Sequence, residues 1–120
     1  MPAPSALQIA TQSVQRLLKE ESYYHKELAS QQNRIKKLEE DLKSGSADSD
    51  PNAEYILKQE QTALAETEKV FNPLRKRLGE AVRKLEEQIA LSEGEGASGE
   101  ELTKAKDALE AGQKVAEKED

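Results

Sequence analysis

A chain of 120 residues with 35% hydrophobic and 35% charged content, and with three Tyr and one Phe as its only aromatics, cannot fill a thick globular interior, so a thin core is expected. The lack of cysteine excludes disulfides, thiolate metal sites and cysteine nucleophiles; with no run of 18 apolar residues and no basic-then-apolar leader, a soluble, cytoplasmic protein without membrane association is expected. The net charge of -6 gathers in residues 92–120, where nine acidic groups face four basic ones, and this balance speaks against nucleic-acid binding.

Met1 to Pro4 is expected to be a frayed extension, since Pro2 and Pro4 disfavour helix, and Ser5 is placed to cap a helix that starts just after it. From Leu7 to Leu42 apolar side chains return at spacings of three and four. Setting Leu7 at heptad position a puts Val14, Glu21, Leu28, Ile35 and Leu42 at a, and Ala10, Leu17, Tyr24, Gln31 and Leu38 at d. No Gly or Pro interrupts this seam, so one helix over about 5–43, on the order of 60 Å long, is predicted. Its apolar stripe requires partners.

Residues 44–50 are small and turn-forming and predict a loop, with Asp50-Pro51 as N-cap and first helical residue of a second helix over about 51–91. Its seam has Leu57, Leu64, Phe71, Leu78 and Leu85 at a, and Glu60, Thr67, Leu74, Ala81 and Gln88 at d. Flanking apolar residues change sides along it: Ile56, Ala63 and Val70 lie at g, whereas Val82 and Ile89 lie at e. The change straddles Pro73. A proline there removes one backbone hydrogen bond and crowds the Lys69 carbonyl, which predicts a bend at 69–73 with Pro73 on the outer side at position c.

Residues 92–97, with Gly94 and Gly96, form the next loop, and Ser98-Gly99-Glu100-Glu101 has the capping-box spacing before a third helix over about 98–117. That helix offers Leu102, Ala105, Leu109, Gly112 and Val115 or Ala116 on one face, small residues that permit close approach. Short loops favour antiparallel neighbours. The fold class that results is all-α: an elongated antiparallel three-helix bundle with coiled-coil-like packing, two long helices and one shorter, in a single domain over 1–120. Folding about residue 47 pairs positions whose numbers sum to roughly 97, within a turn. That register brings Gln31 to Thr67 as a polar layer, Glu21 to Arg75 or Arg77, and Tyr24 to the Phe71 to Leu74 region.

Nothing in the sequence forms a catalytic constellation. His25, the only histidine, sits at position e beside the seam, and a narrow bundle offers it no pocket. Glu-x-x-His pairs, phosphate-cradling glycine loops and dinucleotide fingerprints are missing, so no catalytic residue, cofactor or metal is assigned and the chain is read as a non-enzyme. What remains is charge: Arg34, Lys36 and Lys37 on the first helix, and Arg75, Lys76, Arg77, Arg83 and Lys84 on the second. Interleaved glutamates fit a solvated, salt-bridged face. The competing reading is a contact surface for an acidic protein, favoured by Tyr23, an aromatic among charges at outward position c.

Arg16-Leu17-Leu18-Lys19-Glu20, then Tyr24, Lys26-Glu27 and Gln31-Gln32, followed by Ile35, Lys37 and Leu38, resemble the first helix of the tubulin-folding cofactor A (tubulin-specific chaperone A) family. Pro73 with Arg77-Leu78 and Ala81 downstream is similar to that family's second helix; the likeness covers most of residues 14–91, while the 44–50 linker and Gly79 depart from it. The resemblance implies a helical rod that captures β-tubulin during folding, holds it without consuming nucleotide, and passes it toward heterodimer assembly with other tubulin-folding cofactors, in a cytoplasmic, cytoskeleton-associated setting. On predicted exposure and charge, with β-tubulin's acidity as complement, Tyr23, Lys26, Arg34, Lys37, Arg75, Lys76 and Arg83 are the expected partner-binding residues. A structural coiled-coil scaffold or oligomerisation module is the alternative, and either a monomer or a homodimer is allowed.

Overall fold

The computed structural model describes residues 3–45 and 51–118, and among these it is helical throughout, with no strand. Four helices succeed one another: α1 (Ala6–Ser44), α2 (Ala53–Glu68), α3 (Phe71–Gly94) and α4 (Gly99–Ala116). No described helix is long and apolar enough to cross a membrane.

Local chemistry sets each boundary. Ser5 caps α1 with reciprocal bonds: the Gln8 amide donates to Ser5 Oγ (3.1 Å) and the Ser5 amide donates to Gln8 Oε1 (2.9 Å), so two otherwise orphaned donors are satisfied. At its other end Gly45 adopts φ 79°, the left-handed turn that glycine takes without a Cβ clash. Asp50 lies outside the described residues, as do Met1, Pro2 and the rest of the 46–50 stretch. The cap of α2 is Asn52, whose carbonyl accepts the Ile56 amide at 2.8 Å, and helix begins at Ala53 rather than Pro51.

The helix expected over 51–91 is two helices. Between α2 and α3 the Val70 amide bonds the Thr67 carbonyl (3.1 Å), tightening the ladder to a three-residue step at Lys69–Val70. Pro73 causes this, having no N–H for the Lys69 carbonyl, and it sits exposed as the third residue of α3, where a missing donor costs nothing. Thr67 Oγ1 donates back to the Ala63 carbonyl at 3.1 Å in the last turn of α2. Gly96 (φ 74°) closes α3, with the Ala97 amide reaching back to the Ser92 carbonyl (3.0 Å). Ser98 then accepts the Glu101 amide on Oγ (3.2 Å), the serine half of the capping box read from the sequence.

The described residues fall into two compact units, Met1–Glu21 with Asn72–Asp120, and Ser22–Phe71. In the first, Leu7, Val14 and Leu17 of α1, Leu74, Leu78, Val82, Leu85 and Ile89 of α3, and Ala105 and Ala108 of α4 are buried. α4 packs closely at Gly112, where a Cβ would stand 2.8 Å from Val82 Cγ2 and 2.9 Å from Val14 Cγ1. It runs against α3 in the opposite sense, fixed by Lys106–Glu93 (3.7 Å) and by Gln113 Nε2 donating to Glu86 (2.9 Å), two contacts one heptad apart. Glu21 is buried here at 4% exposure, and Arg75, one of its two expected neighbours, is half-buried.

The second unit is a two-helix hairpin with a thinner interior. Ile35, Ala53 and Phe71 are its buried apolar residues, accompanied by the polar Gln31 and Thr67. Arg34 meets Glu60 and His25 stacks on Phe71, so the paired numbers sum to 94 and 96, one to three residues from the predicted register. The broad ring expected against Phe71 was that of Tyr24. A ring that covers it is that of His25, 4.6 Å away and tilted 33°, because position e flanks the seam and lets the imidazole fold over its neighbour.

Candidate functional site

Tyr23, Lys26, Arg34 and Lys37 all project from the part of α1 in the second unit, and all four are exposed. At about 100° per residue they share an arc of about 80° on the helix, turned away from the stripe of Gln31 and Ile35. They form one face. Tyr23 is 59% exposed, with its ring in edge-on contact with that of Tyr24 (5.2 Å, 75°), so it presents an aromatic surface to solvent. Arg34 lies at the margin of the arc nearest the seam, and from there it reaches Glu60 of α2 (3.4 Å) and Glu27 of α1 (3.7 Å). Its charge is engaged within the hairpin. Among the described residues Lys26 and Lys37 take part in no ion pair, and they carry the positive charge of this face.

The other three expected residues stand on α3 in the first unit. Lys76 and Arg83, seven residues apart, are exposed on one side of that helix. Arg75 is not exposed as expected: it is half-buried and its Nε is shielded from solvent. The reason was present in the heptad frame, because Arg75 heads the same e column as Val82 and Ile89, both buried. A guanidinium in that column lays its stem along the core and contributes packing before it contributes surface charge.

Sequence reasoning passed over several exposed apolar groups. Tyr55 is 61% exposed and accepts a hydrogen bond on its hydroxyl from Gln59 Nε2 (3.1 Å), and Ile9 and Leu91 are likewise more than half exposed. Each sits outside a and d: Ile9 at c, Tyr55 at f and Leu91 at g. An apolar residue outside the a and d columns is not accounted for by the seam, and that was the signal available.

These faces of helix, cation and isolated aromatic sit on a chain whose residues 2–109 match the sequence profile of the family described as Tubulin binding cofactor A. The chain belongs to that family. The match runs from before α1 through most of α4, so this member of the tubulin binding cofactor A family resembles it in the third long stretch as well as in the first two. The Tubulin-specific chaperone A of Saccharomyces cerevisiae is 30% identical over 113 residues, covering 94% of this chain and 95% of that relative. No solved structure matches the chain significantly.

Proposed function

We propose that this chain is a tubulin-folding cofactor that holds β-tubulin through its exposed helical faces, without nucleotide and without catalysing a reaction. The observation carrying this reading is its membership of the tubulin binding cofactor A family over nearly its whole length. A holding chaperone need only bind one conformational state of its client better than the others. A helical backbone is ordered before it meets a client, so the backbone loses little conformational entropy on binding. In this reading residues 1–120 act as a single domain, the setting is cytoplasmic and cytoskeleton-associated, and other tubulin-folding cofactors receive the client.

Lys26 and Lys37 on α1 and Lys76 and Arg83 on α3 supply the positive complement to an acidic client, and Tyr23 supplies an aromatic anchor. Arg34 and Arg75 act in support, one clamping the hairpin and the other packed beside the α3 seam. The test is equilibrium binding of the purified chain to β-tubulin. One-to-one binding that weakens with added salt is expected, and reversing Lys26, Lys37, Lys76 and Arg83 to Glu should weaken it at least about tenfold with helicity unchanged. Affinity equal at low and high ionic strength would reject the charged-face mechanism, and no binding at all would reject the holding role.

A further inference from the structure

In the first unit a groove of about 590 Å³ runs along α1 and α3, and α4 contributes no residue to it. Small side chains, Ala6, Ala10 and Ser13 on one helix and Ala81 on the other, line it together with the buried Leu17, and Ile9, 53% exposed, lines it too. Small residues let another backbone come close, as Gly112 does where α4 packs. The lining also repeats at seven on both walls: Ala6 with Ser13, Ala10 with Leu17, Arg77 with Lys84, Ala81 with Gln88. A seven-residue repeat on two neighbouring helices is the spacing into which a further helix sets its side chains.

Charge narrows the choice of occupant. Arg77 and Lys84 border the seam from α3, and Arg16 stands on the α1 wall; among the described residues none of the three takes part in an ion pair. The groove's carboxylates, Glu80 and Glu87, lie one column further out on α3. A helix resting on Ala10 and Ala81 therefore meets cations first on the α3 flank, and on the α1 flank Arg16 is the charged residue of the lining.

We propose that this groove receives an amphipathic helix of the tubulin client, with an apolar stripe flanked by carboxylates. This deepens the holding role proposed above and rests on it. The apolar stripe covers Ile9, Ala10 and Ala81, and the flanking carboxylates pair with Arg16, Arg77 and Lys84.

The test uses the full chain, β-tubulin, and two three-heptad helical peptides with Leu at a and d, one with Glu and one with Lys at e and g. The acidic peptide should bind, compete with β-tubulin, and shift the amide resonances of Ala10 and Ala81; the basic peptide should not. The triple variant Arg16→Glu, Arg77→Glu, Lys84→Glu should lose about tenfold or more in affinity for β-tubulin and for the acidic peptide, and gain the basic one. Should that variant lose helicity, the resonance map on the unaltered chain decides. Unchanged β-tubulin affinity in a folded triple variant would overturn the groove while leaving the holding role intact, as would an acidic peptide that binds elsewhere or not at all. If the unaltered chain fails to bind β-tubulin, the holding role and the client assignment fall together, and the peptide arm still reports whether the groove takes an acidic helix. A concentration-dependent dimer that the triple variant abolishes would assign the groove to a second copy and overturn the proposal.

Discussion

Gly79 and Gly112 both sit inside helices, yet a methyl group added at each has opposite consequences. At Gly112 the new Cβ would lie under 3.0 Å from branched carbons of Val14 and Val82, which have nowhere to swing, whereas at Gly79 nothing stands within 4 Å. Overpacking costs about 1–3 kcal/mol and exceeds the roughly 1 kcal/mol that alanine gains over glycine in helix propensity. Gly112→Ala should therefore lower the thermal midpoint and Gly79→Ala should raise it, measured by circular dichroism on the two variants side by side; a rise in both would mean that α4 does not approach as closely as described. Gln31 supplies a third case. It is 6% exposed and among the described residues its Oε1 meets no hydrogen-bond donor, so Gln31→Leu removes a buried acceptor and should stabilise the chain by about 1 kcal/mol, read from urea unfolding. The cost would fall on specificity, since a polar layer penalises slipped registers that leucine tolerates.

At the scale of elements, the division between α2 and α3 comes from one residue. Pro73→Ala restores an N–H that can bond the Lys69 carbonyl, so hydrogen exchange at residue 73 should become slow as the helix closes across Lys69–Val70. Rapid exchange there would mean that the packing of Phe71, and not the proline, imposes the break. Much of this level was legible beforehand because its causes are local: Ser5 and Ser98 cap where hydroxyl-bearing residues precede apolar runs, and the a and d columns of α1 are buried or half-buried along their length. The depth of the break was not legible, because whether a proline bends a helix or ends it depends on how the flanking turn packs. The partial burial of Arg75 has a related cause: Val82 and Ile89 below it mark its column as inward, and column outweighs charge. The groove beside Ala10 and Ala81 was hidden because a heptad frame names what is buried between two helices and is silent about the small residues that leave space alongside them.

For the molecule as a whole, the two compact units differ in what holds each together. The first buries a run of leucine, isoleucine and valine from α1 and α3, with Leu74, Leu78 and Leu85 fully withdrawn from water, and α4 adds Ala105 and Ala108. Each such aliphatic side chain contributes about 1.5–3 kcal/mol on burial. The second buries Ile35, Ala53 and Phe71 and includes Gln31 and Thr67 among its buried residues, while Leu28, Leu38, Leu42, Leu57 and Leu64 remain half-exposed. Its surface clamp, Arg34 with Glu27 and Glu60, is of the exposed kind that contributes about 0–1 kcal/mol. Less apolar area is withdrawn per residue, so opening this unit costs less free energy than opening the first. Native-state hydrogen exchange read by mass spectrometry should accordingly show peptides from 53–68 exchanging through partial opening, ahead of peptides from 74–89, whose exchange should track global unfolding. Gln31→Leu should narrow the gap by slowing the 53–68 peptides selectively. Equal protection in the two regions would mean that they unfold as one cooperative body, and that the contrast in their interiors has no energetic consequence.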